Sequence, residues 1–534
     1  MAQPVRGTRG MAVAPHALAS QSALAVLREG GNAVEAMIAA AATIAVVYPH
    51  MNGLGGDSFW LLGRPMAGGK LDVIGIDASG AAAVQARREN YAGLQAIPFR
   101  GGAAALTVAG TLSGWQAAHE FSGQRLGGRM PLTRLLADAV EYARHGTPVT
   151  RSQYENTLLK QGELQAVSGF ADTYLVDGEV PATGSVFRQP RLAATLEHLA
   201  RNGLSDFYHG ELARSIARDL EAAGSPVRQE DLRQHRVAMR SPLVLEHSLG
   251  QVFNMPPPTQ GVVSLLILGL MDRLGAGTLN HLGADFVHAA AESVKQAFAV
   301  RDVCITDPAH MTIDPTTLLE AEALAQMRSR IDMARAAPWG GGKGPADTVW
   351  MGVIDQEGRS VSMIQSIYHE FGSGVVLRES GVTWQNRGAS FSLDRAHINV
   401  LEPGKKPFHT LNPAMAQLSD GRTLVYGNMG GDGQPQSQSA VFNRCAVMGL
   451  NPQEAVSAPR WLLGRTWGQP SDSLKLESRF PEATVQELRR RGHRVEVLGD
   501  FDEAFGHAGC LLRHPDGTLE GGFDPRSDGS VASF

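Results

Sequence analysis

The sequence predicts an α/β protein with layered sheets and helices, and three observations carry that expectation. Runs with apolar residues at three-to-four spacing, such as PRLAATLEHLARNG at 190 to 203, recur and read as core-facing helices. Short apolar runs bounded by Gly, Pro and turn residues read as strands. The two kinds of element share one chain of 534 residues, which exceeds what one simple core supports, so one large composite domain or two to three smaller ones are the options.

Taken in order, SQSALAVLREGGNAVEAMIAAAATIAVVY gives two helices broken at Gly30-Gly31. The turn MNGLGGDSF follows and leads into FWLLG and LDVIGIDAS, two strands of a half-buried sheet. From about residue 106 to 330 the chain reads as mainly helical, with MPLTRLLADAVEYARHG and ADFVHAAAESVKQAFAVRD as further helices. At ARAAPWGGGKGPAD periodicity is lost, which marks the best linker and a natural boundary. Beyond it TVWMGVID, the turn Gln356-Glu357-Gly358 and SVSMIQSIY read as a β-hairpin. TLVYGNM, RVEVLG and AGCLLRH are later strands, and PEATVQELRRRG a helix between them.

Composition narrows the function classes. Apolar residues make up 43 % and charged residues 19 %, which is ordinary for a globular chain. The net charge is −5 and basic residues are scattered, so the footprint of a nucleic-acid binder is missing and a small-molecule partner is expected. Cys304, Cys445 and Cys510 lie far apart with no CxxC spacing, which points to a reducing, cytoplasmic setting. The most apolar run, AMIAAAATIAVVY, is too short to span a bilayer, and the N-terminus lacks an export signal.

Several familiar chemistries are absent from the sequence. There is no G-x-S-x-G elbow, no Walker loop and no H-E-x-x-H helix, and the 17 histidines form no close pair on a helix face, so no metal and no cofactor are expected. GLGGDS at 53 to 58 resembles half of a dinucleotide fingerprint, but it follows a helical run instead of a strand. Thr348 stands where the glycine-rich stretch meets a strand. A threonine hydroxyl is a weak nucleophile unless a base stands beside it, and an N-terminal threonine carries that base as its own α-amine, with a pKa of about 7.7 to 8.0. Reaching that state from inside a chain requires cutting Asp347-Thr348. Threonine is also a favoured strand residue, so local context leaves both readings open.

Over nearly its whole length the chain resembles the γ-glutamyltransferase family of N-terminal nucleophile hydrolases. The shared segments are APHALAS, GGNAVEA, GLGGDSF, TVAGTLSGW, MPPPTQG, DTVWMGVIDQEGRSVSMIQSI, FGSGVV, GNMGGDG, AVSAPRW and DPRSDG, in that order. The resemblance implies an αββα four-layer sandwich formed jointly by two fragments, 1 to 347 and 348 to 534, after self-cleavage between Asp347 and Thr348. These fragments would form a heterodimer, and a dimer of such heterodimers is a further assembly open to it. It implies Thr348 as nucleophile and base, Ser366 as the hydroxyl that holds its amine, and the N–H groups of Gly430 and Gly431 as the oxyanion hole. A tight turn after TLVYG is the other reading of the glycine pair.

The chain departs from the family where an amino-acid head group would bind. Ala78-Ser79-Gly80 stands where the family has an arginine, and WQNRGASF has Arg387 where it has an acidic or amide residue. Ser390 stands where a carboxylate is expected, Asn412-Pro413 where a serine pair is usual, and Tyr368 replaces an asparagine. A guanidinium grips a carboxylate with two parallel hydrogen bonds, so Arg387, helped by Asn386, Ser390 and Asn412, suits a simple carboxylate without an amine. Trp384, Tyr368 and His369 would shorten the pocket; a surface arginine packed on Trp384 is the plain alternative. With IYHEFGSG, HTLNPAM and GGDGQPQ, the pattern is similar to the oxamate-hydrolysing branch of the family, which implies nitrogen salvage by release of ammonia from a small amide. A γ-glutamyl hydrolase or transferase, a β-lactam side-chain acylase and a silent binding homologue are the rival readings.

Overall fold

The computed structural model of the chain describes residues 2–340, 347–464 and 471–534. Two seven-stranded antiparallel sheets face each other. The first runs Ser530–Ser533, Gly10–Ala14, Asp347–Asp355, Ser360–Tyr368, Asp57–Pro65, Leu71–Ala78, Ala238–Arg240. The second runs Val5–Gly7, Leu519–Phe523, Ala508–Arg513, Thr423–Asn428, Ala414–Leu418, Gly250–Asn254, Leu243–His247.

Alternation of side chains along each strand builds the layers. Phe59, Leu61, Trp350, Ile364, Met415, Val425 and Leu511 fill the space between the sheets. Their neighbours Trp60, Leu62, Val349, Met351, Val361 and Met363 point the other way, onto helices Ala17–Arg28 and Ala33–Val47. On the second sheet Leu424, Tyr426, Ala414 and Leu512 face helices Gly261–Arg273, Ala284–Cys304 and Gln434–Phe442. The fold is therefore an αββα sandwich.

Both helices of the first pair end as the sequence implies. Helix Ala33–Val47 starts on a capping box between Asn32 and Glu35, and Gly30 takes a φ of 90° beyond Arg28. Two expectations need correction and a third is extended. The hairpin and the strand Asp57–Pro65 are buried on both faces over most of their length, because helices cover one side and the second sheet the other. The mainly helical middle of the chain also contributes strands to the two sheets, Ala238–Arg240, Leu243–His247 and Gly250–Asn254, and in the second of these Leu243, Leu245 and His247 alternate as buried residues. The stretch at 334 to 347 separates no domains, since strands from before and after it interleave in both sheets. Residues 341–346 of that stretch lie outside the described residues.

Candidate active site

Thr348 occupies an irregular point in the hairpin. Asp347 pairs with Tyr368 and Val349 with Gln365, so Thr348 alone opposes both Ser366 and Ile367, and the extra residue forms a bulge. Only the backbone of Asp347 is described. Thr348 is fully buried, and its hydroxyl has no hydrogen-bond partner among the described residues. Being two residues before Trp350, it belongs to the face that looks at the second sheet.

Two contacts show what it meets there. A Cβ on Gly352 would lie 3.2 Å from Val425 Cγ1, and a Cβ on Gly427 would lie 2.2 Å from the Trp350 indole. Residues 352 and 350 thus face 425 and 427, so the strand that begins at the expected nucleophile packs across the gap on the strand that leads into the glycine pair.

Gly430 has φ 113° and Gly431 φ 51°, left-handed values that favour glycine. No acceptor among the described residues takes the N–H of either glycine. The pair is held from behind. Gln260, from MPPPTQG, donates from Nε2 to the carbonyls of Gly431 and Thr410, each at 2.9 Å. Arg301 Nη1 donates to Asp432 Oδ1 at 2.8 Å, and the Met429 N–H reaches the His507 carbonyl at 3.1 Å. Helix Gln434–Phe442 begins just beyond, so its positive end adds to the donor field.

Ser366 is buried opposite Thr348, and its Oγ accepts the Tyr368 N–H at 2.8 Å. Tyr368 adopts a φ of 83°, a strained value for a bulky residue, and this turns its ring under Arg387. The Arg387 guanidinium carbon sits 3.8 Å from the Tyr368 ring centroid. Arg387 is 1 % exposed, and neither Nη1 nor Nη2 has a partner among the described residues. Burial pulls its pKa down to about 10, against the opposing pull of Tyr368 and Asp57. The alternative of a surface arginine on Trp384 is excluded: Trp384 is itself buried, donates to the Thr107 carbonyl and lies parallel to Phe207, so it does not shorten the pocket.

The other expected residues divide. His369 is fixed by its N–H on Asn386 Oδ1 at 3.1 Å and by stacking on Phe99, whose carbonyl takes Asn386 Nδ2 at 2.9 Å. Ser390 donates to the Phe408 carbonyl and, with Tyr368, Phe99, Arg301, Thr410 and Asp432, lines a cavity of about 250 Å³ that adjoins the glycine pair. Asn412 is a correction. Its amide is consumed by Ser264, Gln434 and the Thr410 carbonyl, so it supports the fold behind the site and offers nothing to a ligand. A larger cavity of about 640 Å³, walled by Arg151, Glu370, Glu503 and Asp528, contains none of the expected residues.

Sequence reasoning missed Asp57 and His409. Asp57, in GLGGDSF, is paired with Ser366 in the next strand and is 1 % exposed. Its Oδ1 accepts the N–H of Gly80 and of Gly110, each at 3.0 Å, while Oδ2 lies 3.5 Å from His409 Nε2. Burial raises the Asp57 carboxyl to about 7 and pushes His409 well below its usual range. The signal was an aspartate in a glycine-rich turn entering a strand. Those glycines serve close packing, since a Cβ on Gly56 would lie 2.1 Å from the Ser366 carbonyl oxygen. Among the described residues, His288, Glu292 and His493 have metal-ligand spacing. Their capacity is already engaged: Glu292 holds Lys295 Nζ at 2.6 Å, and His288 lies between His493 Nε2 at 2.8 Å and the Asp332 carbonyl at 2.9 Å.

Fold and site together define a hydrolase of amide bonds with N-terminal nucleophile architecture. Residues 19–534 match the family model described as gamma-glutamyltranspeptidase, and the chain belongs to that family. It is 59 % identical over 527 residues to the oxamate amidohydrolase proenzyme of Klebsiella pneumoniae subsp. pneumoniae, covering 99 % of each chain. It is 40 % identical to the glutathione hydrolase-like YwrD proenzyme of Bacillus subtilis, covering 100 % of both. The solved cephalosporin acylase of Bacillus halodurans is similar at 33 % identity with a TM-score of 0.89, covering 100 % of this chain and 97 % of that one. No helix among the described residues is long and apolar enough to cross a membrane.

Proposed function

We propose that the chain is a precursor that cuts itself between Asp347 and Thr348 and then hydrolyses a small carboxylate-bearing amide such as oxamate, releasing ammonia. The observation that carries the substrate is Arg387, a buried guanidinium whose two terminal nitrogens have no partner among the described residues. Such a charge is costly to bury alone, and a substrate carboxylate would offset that cost with two parallel hydrogen bonds. The name of the 59 % identical relative supports the same substrate.

In cleavage the Thr348 hydroxyl attacks the Asp347 carbonyl carbon, the amide becomes an ester, and water opens it. Residues 1 to 347 and 348 to 534 then form a heterodimer, working in the cytoplasm. In turnover Thr348 Oγ1 bonds to the substrate amide carbon while its α-amine takes the hydroxyl proton, with Ser366 holding that amine. Gly430 and Gly431 donate to the oxyanion and Arg387 fixes the carboxylate. The C–N bond breaks, the nitrogen keeps the electron pair and takes the proton, and ammonia leaves. Water then clears the acyl-enzyme as oxalate.

Intact mass of the purified protein tests the first half: two polypeptides, one starting at Thr348, are expected, and a lone full-length species in active protein would sink the mechanism. Ammonia release from oxamate against cleavage of γ-glutamyl anilide tests the second. Preference for the anilide would transfer the chain to the γ-glutamyl branch.

A further inference from the structure

The oxyanion pair serves the substrate carbonyl and Arg387 its carboxylate, but the amide N–H groups of the substrate still need an acceptor. A donor buried without one bears the full cost of its lost hydration. Asp57 stands where that acceptor belongs. In the first sheet Thr348 lies opposite Ser366, and Ser366 opposite Asp57, so the three side chains share the face that looks toward the second sheet. Two strand spacings separate the outer pair, roughly 10 Å at the backbone, and the two side chains plus a small amide fill that span.

The Asp57 carboxyl is also fixed in orientation. Gly80 and Gly110 hold Oδ1 from one side; Oδ2 has no partner within hydrogen-bond geometry among the described residues and lies 3.5 Å from His409 Nε2, and the Gln385 side chain also approaches the carboxyl. Neither nitrogen of the buried His409 ring is hydrogen-bonded among the described residues, so this part of the site is polar and unsaturated on both walls. Asp57 and Arg387 also feel each other's charge, each holding the other toward its ionised form.

We infer that the Asp57 carboxylate accepts an amide N–H of the substrate and holds the nitrogen as it departs, a catalytic role additional to those of Thr348, the glycine pair and Arg387. The inference rests on the amidohydrolase reading above. As the C–N bond breaks, the nitrogen carries the electron pair away and takes its proton from the α-ammonium of Thr348; Asp57 gives up nothing and keeps its hydrogen bond to the leaving ammonia.

The test is Asp57→Asn, with oxamate and monomethyl oxalate as substrates, because the ester has the same carboxylate and carbonyl but no N–H on its leaving group. Expected is a fall of about 100-fold in kcat for oxamate, with the ester rate kept within about threefold. Equal losses on both substrates would make Asp57 structural and overturn the inference, and so would a rise in KM on both with kcat unchanged, which would put its action on Arg387. The wild-type oxamate arm separates this from failure of the parent reading: no ammonia from processed wild-type protein refutes the substrate itself. Should the variant stay uncut by intact mass, the wild-type enzyme still decides. N,N-dimethyloxamate, which lacks an N–H, should be hydrolysed at least about 10-fold more slowly than N-methyloxamate, and equal rates would overturn the role.

Discussion

Arg387 sits over the Tyr368 ring, 3.8 Å from ring centre to guanidinium carbon, with its two terminal nitrogens finding no acceptor among the described residues. Stacking on an aromatic face recovers about 2 kcal/mol for a desolvated guanidinium, less than the several kcal/mol that burying the charge costs. A residue kept for stability would not look like this. Arg387→Met should therefore raise or preserve the thermal midpoint of unfolding, while KM for oxamate increases about 100-fold or more. Arg387→Lys should recover only part of the affinity, because an ammonium makes no planar two-point contact. Denaturation curves and initial rates on one preparation check both; a loss of stability with unchanged KM would refute the assignment.

The glycine pair gives the second expectation. Gly430 at φ 113° has no comfortable L-residue conformation, and Gly431 at φ 51° is left-handed. Gly430→Ala should re-aim the N–H groups and lower kcat by about 100-fold or more with a smaller change in KM. On the proposed mechanism the same donors stabilise the oxyanion formed at the Asp347 carbonyl, so the variant should also slow self-cleavage. Comparing the rate of fragment appearance with kcat checks this, and a variant that cuts and turns over normally would remove the pair from the mechanism.

Much of this site was legible in the sequence, and the part that was not has physical causes. The helices on either side of Gly30-Gly31 and the hairpin around Thr348 follow from local periodicity and turn chemistry, which act over a few residues. The packing of Arg387 over Tyr368 is not legible in the sequence, because it accompanies one unusual backbone angle at Tyr368 of which sequence pattern carries no trace. Asn412 is exhausted by Ser264 and Gln434, contacts that only the packed sandwich creates. Asp57 is not legible because GLGGDSF reads locally as a turn into a strand, whereas the surroundings of its carboxyl come from lying opposite Ser366. Short-range patterns set the elements; long-range pairing decides which polar groups come together between the sheets.

Asp57 also links stability to pH. Burial raises its carboxyl from 3.8 to about 7, so the folded chain binds that proton more tightly than the unfolded chain. Between pH about 4 and 7 the unfolded state has released the proton while the folded state retains it, so the contribution of Asp57 is full below pH about 4, falls as pH rises, and levels off above about 7. Asn keeps the shape and removes the titration. In the uncut Thr348→Ala background, where one polypeptide unfolds, Asp57→Asn should gain on its parent through that window by a few kcal/mol at the order-of-magnitude level. Denaturant titrations of both chains across the window check it; parallel curves would show that Asp57 does not titrate there.

The approach of Trp350 to Gly427 ties the nucleophile strand to the oxyanion strand and gives the last expectation. The indole occupies the space where a Cβ on residue 427 would stand, 2.2 Å away, and its far edge lies 2.4 Å from the Cβ position of Gly509. Trp350 Nε1 is anchored on Ser362 Oγ at 3.0 Å, so the ring is not free to retreat. Gly427→Ala must push the sheets apart or tilt the ring, at a cost of about 1–3 kcal/mol in a closely packed interior. Thr348 is two residues from Trp350 and Gly430 three from Gly427, so the same displacement is transmitted to the spacing between hydroxyl and oxyanion donors. The variant should accumulate uncut chain and, once cut, show a lower kcat, whereas Gly449→Ala, at a surface turn with φ 74° and nothing within 4 Å, should cost about 1 kcal/mol through backbone strain alone and leave cleavage intact. Gel densitometry of precursor and fragments in the two variants separates these outcomes: equal processing would mean that the Trp350 contact does not set the geometry of the site.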